Sequence, residues 1–304
     1  MLNISSRQLR IFVSAAKHLN FTRAAQEVHI SPPAVSMQIK EIELQVDAAL
    51  FIKNGRKLQL SSAGEYFLNN ARFILQTLNE TEKVIKQLEG DKIEVIKVGI
   101  ISTAQYFLPQ VIKNFREENS YYKIILEIRN REQLIELLRD GKIDIAIMGL
   151  VPKEIDTKVY TITNHPHVFI SNFDHELTLQ KIIQPISLQK FDFISREKGS
   201  GTRAHMETFM HDHDIQPNIV MEMSSNESIK QAVIAGLGIS FVSQHTIASE
   251  LKTKQLKILN IIDTPINRKW HVVTLNPLSV NRSVELLKDF ILNRSEKIIK
   301  KLLY

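Results

Sequence analysis

The spacing of apolar residues changes character once along this chain, and that change limits what it can fold into. Through residues 63–89, AGEYFLNNARFILQTLNETEKVIKQLE, apolar positions recur at helical spacing without a proline, and Gly90-Asp91 ends the pattern. From residue 92 onward short apolar runs alternate with helical ones. IEVIKVGI, KIILEI and DIAIMG read as buried strands, with helices expected over residues 107–118 and 131–141. A second set follows: HVFIS, FDFIS, a helix from about Gly201, IVMEMS, a helix from about Asn226, then GISFVS. RKWHVVTL and a C-terminal helix through Val284, Leu287 and Ile291 close the chain. This punctuation predicts a largely parallel sheet in two α/β lobes around a cleft, with the last helix returning to the first lobe. The expected boundaries are 1–62 for an N-terminal domain, 63–90 for a linker helix and 91–304 for the two-lobed part. Its first lobe takes about 91–161 and 266–304, its second about 162–265.

The N-terminal segment holds helices of another kind. After an amphipathic helix carrying Leu9, Phe12, Val13 and Ala16 comes FTRAAQEVHISPPAVSMQIKEIE, two short helical patterns a few residues apart. Thr22 can cap the first of them, whose Ala24 and Ala25 are small enough for close packing. Ser31 reads as the N-cap of the second, because Pro32 and Pro33 are tolerated in a first turn whose N–H groups lack intrahelical partners. Val35, Ile39 and Ile42 then form one inward stripe, which leaves Pro33, Ser36, Met37 and Lys40 facing outward. A short, polar, capped face of this kind suits the major groove of double-stranded DNA; an ordinary antiparallel helix pair carries the same pattern. The following LFIKNGRKLQL places a tight turn at Asn54-Gly55 between two short strands, with Lys53, Arg56 and Lys57 clustered at the tip. A helix-turn-helix with a basic hairpin is a winged helix, whose wing grips phosphate. Charge agrees: residues 1–60 hold eight Lys/Arg against four Asp/Glu, most of the chain's net +6.

The linker pattern has a direction as well as a length. Phe67, Ala71, Ile74, Leu78, Thr81, Ile85 and Leu88 alternate steps of four and three, nearly a coiled-coil seam, and a second copy of the chain is the simplest partner. The 304 residues contain no cysteine, which excludes disulfides, thiolate metal sites and a cysteine nucleophile. No apolar run is long enough to span a bilayer and no leader pattern precedes the first helix, so a cytoplasmic protein without membrane contact is expected.

RQLRIFVSAAKHLNFTRAAQEVHISPPAVSMQIKEIE resembles the winged-helix signature of LysR-type transcriptional regulators, and the resemblance extends over essentially the whole chain. ISTAQYFLP, NREQL, DIAIMG, GSGTR and SNESIKQAVIAGLGIS look like the CbbR-type subgroup, which regulates Calvin-cycle operons. The resemblance implies an α/β protein with an α-rich winged helix-turn-helix domain, a linker helix and a two-lobed, periplasmic-binding-protein-like effector domain. It implies a homodimer paired through the linker helix and a homotetramer built from two such pairs, with RNA polymerase as a further candidate partner. Carried over by position, Ser31, Pro32, Pro33, Ser36 and Lys40 lie in or at the recognition helix and Arg56 lies in the wing. Thr22, Arg23 and Lys53 complete the candidate DNA contacts. The family usually carries glutamine where this chain has Pro32.

For an effector, the carry-over falls on Ser102, Thr103, Asn130, Met148, Thr202 and Asn226. The residues give independent grounds for some of these. Ser102-Thr103 and Gly199-Ser200-Gly201-Thr202 each follow a strand and open a helix, where exposed N–H groups and hydroxyls hold carboxylates or phosphates. Arg131 and Arg203 can add bidentate charge. No cofactor is required; the expected ligand is a phosphorylated metabolite, a nucleotide or a carboxylate.

Two other readings compete. Gly199 to Ala204 fits G-x-G-x-x-A after a strand with Glu222 beyond it, the pattern of an NAD(P)-dependent oxidoreductase; polar Arg196-Glu197-Lys198 interrupts it, and Glu222 falls inside a strand. A solute-binding protein without a DNA role fits the cleft but leaves the first 90 residues unexplained. His211-Asp212-His213-Asp214 is spaced to splay its side chains apart and suits a solvated helix end better than a metal.

Overall fold

The computed structural model describes residues 2–54, 57–88, 94–276 and 281–303, and the chain divides into two compact units, Met1–Lys92 and Ile93–Tyr304. The first unit begins with α1 (Ser6–His18), entered through a capping box: Gln8 N–H donates to Ser5 Oγ at 3.2 Å and Ser5 N–H to Gln8 Oε1 at 2.8 Å. Leu9, Phe12, Ala15 and Ala16 are buried along it. α2 (Phe21–Glu27) is capped by Asn20 and not by Thr22. Leu19 ends α1 in the left-handed region (φ 44°), which leaves Asn20 extended directly before α2 with its Oδ1 accepting from the N–H groups of Thr22 and Arg23 at 2.9 and 3.1 Å. α3 (Pro32–Val46) is capped by Ser31, whose Oγ accepts from Ala34 N–H, and it buries Val35, Ile39 and Ile42.

The wing is β1 (Phe51–Asn54) and β2 (Lys57–Leu60), paired antiparallel with Phe51 opposite Leu60 and Asn54 opposite Lys57. Asn54 is therefore the last paired residue and not a turn residue. Gly55 and Arg56 lie outside the described residues. α4 (Ser62–Leu88) follows, and a side-chain carbon at Gly64 would collide with the carbonyl oxygen of Leu50, so the helix can start against the wing only with glycine there. Phe12 joins three elements: its ring lies 5.5 Å from Phe51 in β1 and 4.8 Å, edge-on, from Phe67 in α4. The α4 stripe accordingly divides. Ala71 is buried and Phe67 half-buried in this unit's own core, a correction to the continuous seam, while Ile74, Leu78 and Ile85 are exposed.

The second unit contains β3 (Glu94–Ile100), α5 (Leu108–Glu118), β4 (Tyr122–Ile128), α6 (Arg131–Arg139), β5 (Ile145–Met148) and β6 (Thr157–Asn172). Then come β7 (Asp192–Arg196), α7 (Gly201–Asp212), β8 (Asn218–Met223), α8 (Asn226–Ile234), β9 (Ile239–Ser243), α9 (Ala248–Lys252), β10 (Leu256–Ile258), β11 (Ile266–Leu275) and α10 (Arg282–Leu303). The strands form one sheet in the order β4-β3-β5-β11-β6-β9-β7-β8, with β10 on β6. β3 pairs parallel with β4 and β5, and β7 pairs parallel with β8 and β9, so each lobe has its own parallel core. α10 returns to the first lobe, where Phe290 packs edge-on against Phe115 of α5 at 5.3 Å.

The lobes are joined by β6 and β11 running antiparallel. The HVFIS run is the second half of one 16-residue strand that passes straight through Pro166. Pro166 lies opposite Asn267 of β11, and β9 joins β6 only from His167 onward, so the proline sits where one flank alone is laddered. β11 shifts register between Lys269 and His271, and the intervening Trp270 is fully buried. Its ring stacks on His165 with centroids 3.8 Å apart, and its Nε1–H donates to His245 Nδ1 at 3.0 Å. His167 and His205 pack beside them. Burial disfavours the charged imidazolium here: His167 is pushed down to about 3, His205 and His245 to about 4, and His165 well below its usual value.

These histidines tie stability to pH with a definite sign. The unfolded chain protonates them below about pH 6.5, whereas the folded chain holds them neutral until well below that. Stability is then full above pH 6.5 and falls as the pH drops toward 4. A single histidine lowered from 6.5 to about 4 costs on the order of 2 kcal/mol at pH 5. Melting temperature should hold from pH 7.5 to about 6.5 and fall from there to pH 5, and His205→Leu should make that decline shallower; an unchanged slope would remove the histidines as its cause.

Candidate functional sites

Two places in the molecule combine exposure with organised polar groups. The first is the outer face of α3 and its wing. Ser31, Pro32, Pro33, Ser36 and Lys40 are exposed along the N-terminal half of α3, with Thr22 and Arg23 exposed at the start of α2 and Lys53 exposed on β1. The wing is held to α3 by one carboxylate: Glu43 Oε1 accepts from the backbone N–H groups of Leu50 and Phe51 at 2.7 and 3.1 Å. Sequence reading passed over Glu43, because one glutamate near a helix end does not announce a contact seven residues on. On α2, Glu27 accepts from Ser14 and pairs with Lys17 and His18 of α1, and Lys17 first of all holds its carboxyl down at about 2. The second helix and the wing therefore present their polar atoms from a braced frame.

The second place is a cleft of about 340 Å³ in the other unit, at the carboxyl ends of β3, β4, β5 and β7. Parallel strands end there together, and the turns leading to the following helices converge. Ser102, Thr103, Asn130, Arg131, Met148 and Thr202 all line it. Asn226 stands behind the wall, buried, donating from Nδ2 to Ser102 Oγ at 3.2 Å and accepting from Arg196 Nη1 at 2.8 Å. It thereby links the two lobes. Arg203 does not face the cleft. Its guanidinium pairs with Glu207 and Glu222 and donates to the carbonyl of Arg196, bracing α7 against β7 and β8. Glu222, placed by the dinucleotide pattern to hold a ribose, instead holds this arginine.

Arg196 is the residue that sequence reading missed. In the sequence it reads as part of a polar break, but it is the last residue of β7, only 6% exposed, and lines the cleft. Glu197 pairs with it in bidentate fashion at 2.7 and 3.0 Å. Arg131 is similarly engaged, by Glu154 at 2.9 and 3.1 Å and by the carbonyls of Leu150 and Val151; it holds the Glu154 carboxyl down at about 2. Two polar features of the lining stand apart from these pairs. Ser200 precedes α7 and lines the cleft but makes no side-chain cap to the first N–H groups of α7. Thr103 Oγ1 is buried there and has no hydrogen-bond partner.

Nearby, the Tyr106 hydroxyl of the first lobe donates to Glu227 of α8, and burial with that carboxylate pushes the hydroxyl up. Lys230 lies 5.2 Å from the same ring and pairs with Glu250 at 2.8 Å. The lobes are thus in contact beside the cleft.

Comparison with known proteins decides the family. Residues 6–65 match the model of the bacterial regulatory helix-turn-helix protein, lysR family, and residues 90–296 match the LysR substrate binding domain. The chain belongs to the LysR family of transcriptional regulators. It is 34% identical to the RuBisCO operon transcriptional regulator of Allochromatium vinosum, over 98% of both chains. It is 37% identical to the HTH-type transcriptional regulator CfxR of Cupriavidus necator, over 97% of this chain and 93% of that one. The regulatory domain of CcmR from Synechocystis PCC6803, solved in complex with 2-PG, superposes with a TM-score of 0.65 at 32% identity, covering 67% of this chain and 98% of that domain. This LysR-type protein is therefore a DNA-binding transcriptional regulator with an effector-binding domain, and not an enzyme. Among its described residues no helix is long and apolar enough to cross a membrane.

The Glu43 tether makes a direct prediction for the regulator. Glu43→Ala leaves two backbone donors of the wing without their acceptor and should cost about 1–3 kcal/mol of stability. Urea denaturation of the full-length protein measures it; no change would mean that water replaces the carboxylate without loss.

Proposed function

We propose that this regulator reads its operator through the outer face of α3, pairs with a second copy through α4, and changes its DNA binding when a small anion enters the cleft. In the DNA-reading part, Ser31, Pro32, Pro33 and Ser36 face the bases, while Thr22, Arg23, Lys40, Lys53 and Arg56 hold the phosphates. Arg56 is assigned from sequence, since it lies outside the described residues. Residues 1–62 form the DNA-binding domain, 63–90 the dimerisation helix and 91–304 the effector domain. Pairs of dimers make a tetramer that works in the cytoplasm.

The observation that carries the effector reading is the buried, unpartnered hydroxyl of Thr103, a cleft-lining residue only 2% exposed. A buried hydroxyl without a partner costs free energy that a bound ligand would recover. The uncapped start of α7 adds N–H groups and a partial positive charge. Arg196 and Arg131 already have carboxylate partners, so the cleft offers little net charge. The reading is therefore a small anion held chiefly by hydroxyls and backbone N–H groups. A volume of about 340 Å³ stands at the low end of ligand pockets and favours a metabolite over a dinucleotide. The similarity to the 2-PG-bound CcmR domain supports the same class of ligand.

A thermal-shift screen of the full-length protein with 2-PG, ribulose 1,5-bisphosphate, phosphoenolpyruvate, ATP, NADPH and small carboxylates tests this. A true ligand at a hundredfold excess over its Kd should stabilise by about 2.7 kcal/mol. Thr103→Val should abolish that shift while leaving DNA retardation intact, and a shift that survives it would place the ligand elsewhere. The pairing has its own test. Ile74→Glu or Leu78→Glu should lower the mass measured by light scattering, and an unaltered mass would reject α4 as the interface.

A further inference from the structure

The exposed face of α3 is poor in the side chains that usually read bases. Pro33, Met37 and Lys40 follow one another at helical spacing, with Ser36 alongside. Met37 is 62% exposed and Pro32 and Pro33 are exposed one turn earlier, so an apolar patch occupies the N-terminal half of the helix. A lone exposed methionine needs no explanation. This one stands on the second helix of a helix-turn-helix, in the half that approaches base edges. Positions 32, 33, 36 and 37 supply a single hydroxyl and no guanidinium or amide. Gln38, the nearest amide, is half-buried and donates to Glu41 at 3.2 Å. Bidentate recognition of guanine by arginine, or of adenine by glutamine, is thus unavailable from this half of the face. The major-groove edge that an apolar side chain can distinguish is that of thymine, which carries a 5-methyl group.

We infer that Met37, flanked by Pro33, is a specificity-determining residue that packs on a thymine methyl, with Lys40 holding the adjacent phosphate. The inference rests on the DNA-reading role proposed above. An unbranched thioether has the freedom to settle against a methyl group at the floor of the groove, and Pro33 limits how it can lean.

The experiment begins with duplexes selected by the full-length protein from a randomised library. Each thymine of the preferred site is then replaced in turn by deoxyuridine, which removes only the methyl. Binding by the wild-type protein should weaken about three- to fivefold at one thymine of each half-site, the size expected for one methyl leaving an apolar contact. Met37→Ala should bind thymine and deoxyuridine duplexes equally. Met37→Gln, of similar length, should shift the preference at that base pair toward adenine. A preferred site in which every deoxyuridine is tolerated would overturn the inference and leave DNA reading standing, as would an undiminished deoxyuridine penalty in Met37→Ala. Selection of no preferred duplex would overturn the DNA-reading role and the inference with it.

Discussion

The cleft depends on two antiparallel strands. β6 and β11 carry the chain from one lobe to the other and back, and Trp270, where β11 shifts register, is buried against His165. Both lobes build parallel sheets, and parallel strands end with their following turns on one side. The crossing of β6 and β11 sets those two sets of turns facing each other. The buried histidines suit that position: they fill space like aromatic residues, and Trp270 Nε1–H and the Ser243 hydroxyl satisfy two of their nitrogens. Gly149, at the cleft end of β5, approaches the same group so closely that a side-chain carbon would come within 2.8 Å of His165 Nδ1. Cleft and crossing are therefore one packed region, in which a change at the strand ends is felt between the lobes.

Charge in the cleft is already balanced within the protein. Arg131 is taken by Glu154, Arg196 by Glu197 and Arg129 by Glu127. An arginine whose carboxylate partner stands in the same lobe gives a ligand directional N–H groups more than net attraction. The groups with capacity to spare are different in kind: the Thr103 hydroxyl and the opening N–H groups of α7, which come from opposite lobes. A ligand that joins them bridges the lobes, as Asn226 does when it reaches from Arg196 to Ser102. Differential contact of this sort is what lets a ligand favour one arrangement of two lobes over another.

Much of this was legible in the residues, and the failures share a cause. Periodicity located the long helix and most strands of the two lobes, but it passed over β10 and the first half of β6, a three-residue edge strand and a stretch whose buried positions are interrupted by exposed ones. Ser31 was readable as a cap because two prolines follow it. Asn20 was not, because both Asn20 and Thr22 can cap and the choice rests on Leu19 turning left-handed. The continuity of β6 was hidden by Pro166, which ends a strand unless one flank is unladdered, and only tertiary pairing determines that. Arg203 and Arg196 exchanged roles for a similar reason. Seven residues apart, both precede or open the same helix, and only the position of Glu222 on the neighbouring strand decides which is drawn away from the cleft.

The division of the α4 stripe follows from the same competition between local pattern and packing. A helix of 27 residues is about 40 Å long, more than a small winged domain can cover. Its first turns are claimed by the core beneath, where Phe67 meets Phe12 and Ala71 is buried. Ile74, Leu78 and Ile85 continue the stripe beyond that core and stand exposed. Apolar side chains aligned over three turns bury only part of a coiled-coil seam, so two copies sharing them gain most in an isologous pair, where each stripe covers the other. In the pairing proposed above, the interface would begin where the winged domain stops needing the helix. One helix would then end one hydrophobic core and start the next, and the spacing of two recognition helices would be set by a rigid element shared with their own domains.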